Sequence, residues 1–63
     1  MKRIEVLRMI EQLKALEERL YSIQQEYLLA KERHEFLAQY DLYEEWKQLK
    51  KQQSELKSHL GLN

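Results

Sequence analysis

The stretch VLRMIEQLKALEERLYSIQQEYLLAKERHEFL, residues 6–37, decides the fold. Counting through it in alternating steps of three and four gives Val6, Met9, Leu13, Leu16, Leu20, Ile23, Tyr27, Ala30, His34 and Leu37. Nine of these ten are apolar. That is the heptad spacing of an α-helix with one apolar stripe, and no Pro or Gly interrupts it. With Val6 at heptad position a and Met9 at d, further apolar residues fall beside the stripe. Leu7, Tyr21 and Leu28 occupy b, and Ile10 and Ala38 occupy e. A two-stranded seam needs only a and d, so the wider stripe implies contact with more than one neighbouring helix.

Beyond Leu37 a second series begins: Leu42, Trp46, Leu49, Gln53, Leu56 and Leu60. It keeps the heptad spacing but is displaced by one residue, about 100° around a helix. A straight helix would turn this second face away from whatever covered the first. A chain reversal at Gln39–Tyr40–Asp41 removes the conflict. Asp41, with Glu44 three residues later, fits a capping box at the start of a second helix. Gly61 fits a cap at its end. The sequence therefore predicts an all-α, single-domain chain over residues 1–63. It is an antiparallel hairpin with a long helix over about 3–38 and a short one over about 42–60. The alternative is one continuous coiled-coil helix, a rod of roughly 87 Å.

Composition agrees. Charged residues make up 35% of the 63, there is no Pro and no Cys, and the single Gly is Gly61. Chains this short bury a small fraction of their surface, and without disulfides the usual remedy is a partner. With the turn at 39–41, the short arm stops well before the N-terminus of the long one. Val6, Met9, Ile10, Leu13, Leu16, Leu20, Ile23 and Tyr27 are then expected to form the core of a homodimer. Leu37, Leu42, Trp46, Leu49, Leu56 and Leu60 are expected to pack the short helix back.

Acidic and basic residues balance at 11 each. That argues against nucleic-acid binding by bulk charge. Lys47, Lys50, Lys51 and Lys57 nevertheless form a local basic face, which marks a small RNA-binding regulator as the alternative function. Folding back would set that segment near Glu17, Glu18 and Glu26. His34–Glu35 opens like H-E-x-x-H, but position 38 is Ala, and no Glu-x-x-His pair occurs. No metal, cofactor or catalytic residue is expected, and a narrow bundle offers no pocket to tune a carboxylate. Placed within the stripe, His34 is expected to set register; burial of paired histidines would instead make association proton-sensitive. Phe36, Tyr40, Tyr43 and Trp46 cluster around the expected turn, with Tyr40 and Tyr43 the candidates for a partner surface. No run is apolar enough for a membrane span, and a cytoplasmic location is expected. The function these features favour is a non-enzymatic protein–protein interaction module, acting through helix packing as a homodimer: an adaptor, assembly factor or inhibitor. A structural rod is the remaining reading.

Overall fold

A computed structural model describes residues 2–61. Two helices, α1 (Arg3–Glu32) and α2 (Phe36–Leu60), pack against each other as an antiparallel hairpin. The body measures 47 × 15 × 14 Å. Its long axis matches α1, since 30 residues at about 1.5 Å each span roughly 45 Å.

The reversal lies at Arg33–His34–Glu35, earlier than the expected 39–41. Its geometry explains both the position and the lack of a sequence signal. His34 adopts a left-handed backbone, φ 56°. Its N–H donates to the Lys31 carbonyl at 3.2 Å, and the Glu35 N–H donates to the Ala30 carbonyl at 2.9 Å. These two bonds are the Schellman termination, which satisfies the last carbonyls of a helix. Gly normally occupies the left-handed position because it has no Cβ. Here His occupies it, so the usual marker is missing. Asp41 accordingly sits inside α2 rather than capping it, and the residue before α2 is Glu35, which makes no side-chain cap bond. The far end follows expectation: Gly61 takes φ 73°, and its N–H reaches the Ser58 carbonyl at 3.1 Å.

Moving the turn changes what the second helix covers. Arg19 pairs with Glu45 across the hairpin. Fifteen residues from Glu45 towards the C-terminus is Leu60, and fifteen from Arg19 towards the N-terminus is Ile4. The second helix therefore runs alongside nearly the whole first one. Leu13, Leu20, Ile23 and Ala30 are buried, and Val6, Met9, Leu16 and Tyr27 are half-buried. The expectation that the short arm stops well before the N-terminus of the long one is thereby corrected. The second series supplies the other wall: Leu42, Trp46, Leu49, Leu56 and Leu60 are half-buried and Gln53 is buried. Leu37, expected to pack the hairpin, is 84% exposed, because it is the second residue of α2 and lies on the outer side. Ile10, grouped with the expected dimer core, is exposed on the single hairpin.

Candidate functional site

Once the two series meet as the seam, each helix has two flanks. The leading flank lies one residue after each seam position, and the trailing flank one residue before. In an antiparallel pair the two leading rows fall on the same side of the hairpin, because reversing the axis also reverses the sense of rotation. Side-chain positions agree. Gln24 and Leu28 of α1 line one groove together with Tyr43 and Trp46 of α2. On the opposite side, Gln12, Ala15 and Arg19 share a trough with Gln52, and Glu26 and Leu29 share another with Ala38 and Asp41.

The flanks differ in chemistry. The leading row of α1 carries Leu7, Ile10, Tyr21 and Leu28, all exposed. That of α2 opens with Phe36, Tyr40 and Tyr43, also exposed, and continues through Lys47 and Lys50 to Lys57. Of the large apolar residues on the trailing side only Leu29 is present, among Gln, Ala, Ser and charged residues. Most of the exposed large apolar residues are thus gathered on one side. The sequence signals for this were the b and e residues beside the first stripe and the aromatic cluster. Only the antiparallel pairing joins them into one surface.

Charge is divided the same way. In the leading row Lys14, Lys31, Lys47, Lys50 and Lys57 outnumber Glu17 by four, with Lys47 paired to Glu44 just outside the row. On the trailing side Glu5, Glu26, Glu35, Asp41, Glu45 and Glu55 face Arg8, Arg19 and Arg33, a net of −3. The trailing charges pair with one another. Arg19 donates through Nε to Glu45 Oε2 at 2.8 Å and through a terminal nitrogen to Oε1 at 2.9 Å, and approaches Glu26 at 3.5 Å. The hydrogen bond from Arg19 holds Glu45 below the usual carboxylate range. Arg33 and Glu35 lie 3.9 Å apart.

The groove between the leading rows has a volume of about 470 Å³ and walls from Ile23, Tyr27, Leu28, Leu42, Tyr43 and Trp46. Two helices supply two walls and leave the third side open. Along its edge Tyr43 and Trp46 lie nearly parallel, 15° apart, with ring centroids at 6.4 Å. The Lys47 ammonium sits 5.0 Å from the Tyr43 centroid, and that of Lys50 5.8 Å from Trp46. Lys47 also bonds Glu44 at 2.9 Å, which raises its pKa above the usual lysine range. Lys50 donates to Gln53 Oε1 at 3.1 Å, satisfying the buried amide of the seam. The expected pairing of Lys47–Lys57 with Glu17, Glu18 and Glu26 is replaced by Arg19–Glu45 as the ion pair between the helices.

Of the expected partner residues, Tyr40 and Tyr43 lie on the groove side. Among the lysines considered for RNA, Lys47, Lys50 and Lys57 share the leading row, while Lys51 lies off it. His34 stands exposed in the turn rather than in a buried pair. Among the described residues, no three His, Cys, Asp or Glu side chains converge to hold a metal, and no helix is long and apolar enough to cross a membrane. The fold and its surface define a two-helix hairpin with one apolar, basic flank and one polar, internally paired flank. No family model, no curated protein and no solved structure matches the chain.

Proposed function

We propose that the protein is a non-enzymatic protein–protein interaction module that binds through the leading flank of the hairpin. The observation that carries this reading is the segregation of exposed Leu, Ile, Tyr and Phe onto one side. Scattered surface apolar residues need no explanation, but a set gathered on one side marks a surface that is covered in use. Exposed area supports it. The chain exposes 5288 Å², whereas a compact monomer of this size exposes about 4,400 Å². The surplus is on the order of one partner's share of a standard interface, about 800 Å². Tyr and Trp at the groove are the residue types that anchor such interfaces.

Affinity capture from cells expressing the protein tests the reading, with variants on each flank. Leu28→Glu with Tyr43→Glu is expected to abolish recovery of a specific partner, including a second copy of the chain. Gln12→Glu with Gln52→Glu, on the trailing side, is expected to leave recovery unchanged. Equal losses from both pairs, with both variants folded, overturn the assignment of the working flank.

A further inference from the structure

Resting on that reading, we infer that the groove receives an amphipathic helix with acidic borders, supplied by another protein. Shape gives the first argument. The groove is open on one side and presents apolar side chains from both helices, Ile23, Tyr27 and Leu28 against Leu42, Tyr43 and Trp46. A third helix laid into it at the usual interaxial distance of about 8–10 Å completes a three-helix bundle. Helix-in-groove recognition uses anchors one turn apart, and Leu28, Tyr43 and Trp46 form the receiving wall for them.

Charge gives the second. Lys14, Lys31 and Lys57 make no ion pair among the described residues, and Lys50 contacts only neutral groups. The ammonium groups of Lys47 and Lys50 are held over aromatic rings at the groove's edge. A docked helix would therefore meet a basic border on an apolar floor. Carboxylates on the partner complement that border; basic residues are repelled by it.

The same charges argue against a second copy as occupant. Leading flank against leading flank sets a net positive row upon a net positive row. The trailing flank carries net negative charge but only Leu29 as a large apolar anchor, and its Glu26 and Glu45 are engaged by Arg19. A nucleic acid would use the lysines and leave Leu7, Ile10 and Leu28 without a role.

Trp46 is the only tryptophan and lines the groove, so its emission reports occupancy directly. The probes are two synthetic peptides of three heptads, each with Leu at a and d and Ala elsewhere, one bordered by Glu and the other by Lys. The Glu peptide is expected to shift Trp46 emission to the blue and saturate, with affinity falling about tenfold or more at high salt. The Lys peptide is expected to bind at least about tenfold more weakly. Lys14→Glu with Lys31→Glu, both exposed and unpaired, is expected to narrow or reverse that preference while circular dichroism stays unchanged. An equal response to both peptides, or to neither, overturns the inference. So does a concentration-dependent Trp46 shift of the protein alone that accompanies dimer formation in sedimentation. That last outcome ends the acidic-helix inference yet leaves the leading flank as an interaction surface.

Discussion

Arg19 and Glu45, twenty-six residues apart in sequence, grip each other through two parallel hydrogen bonds of 2.8 and 2.9 Å. This fork is the only ion pair joining α1 to α2 among the described residues, and it fixes which turn of one helix faces which turn of the other. A planar guanidinium matched to a carboxylate is directional in a way that apolar packing is not.

The pair makes stability pH-dependent with a definite sign. Glu45 is held below its unfolded value, so its contribution is present above the ordinary carboxylate pKa, about 4.3, and is lost as pH falls through the lower folded value. Glu45→Gln is expected to lower the melting temperature at neutral pH. The difference from wild type should shrink in acid and in high salt, since both side chains are solvent-exposed. Thermal melts at neutral pH, in acid and at high salt check this; a difference that ignores both variables contradicts the role given to the pair.

Ile23 is 1% exposed at the centre of the seam. Ile23→Ala is expected to cost about 2–5 kcal/mol, comparable to the whole stability of a domain this small. Leu37→Ala, at a residue nearly free of contacts, should stay within about 0.5 kcal/mol. Urea unfolding of the two variants separates them. Similar losses at both positions would mean that the turn lies later than Arg33–Glu35 and that Leu37 is packed.

His34 holds a left-handed backbone that side chains with a Cβ adopt at a cost. His34→Gly is expected to stabilise the hairpin by up to about 1 kcal/mol, and His34→Val to destabilise it. Chemical unfolding decides; a Gly variant less stable than wild type removes the Schellman reversal from the account.

The helices, their antiparallel pairing and both seam series were legible in the sequence, because heptad spacing survives a phase change and can be counted on either side of it. The turn was not. The phase slip showed that a reversal was needed, but not where. Asp41 and Glu44 offered plausible capping chemistry, whereas the real reversal rests on backbone bonds around a histidine. That shift of about six residues carried a larger consequence. It lengthened α2 enough to bury Leu13 and half-bury Val6 and Met9, residues that lay beyond the reach of the shorter arm. The docking flank was half legible. Leu7, Ile10, Tyr21 and Leu28 stood out as surplus to a two-stranded seam, and Tyr40 and Tyr43 as candidate anchors. Their union needed the pairing of the two leading rows, which is a property of the hairpin rather than of either helix.

The central claim is that one flank of the hairpin works and the other does not, and site-specific photocrosslinking measures this most directly. A photoreactive side chain replacing Tyr43 on the leading flank is compared with one replacing Gln52 on the trailing flank, each in living cells. The account predicts one discrete adduct from position 43, abolished by Leu28→Glu, and none from position 52. Adducts of equal yield from both positions, or a discrete adduct from position 52 alone, would contradict it.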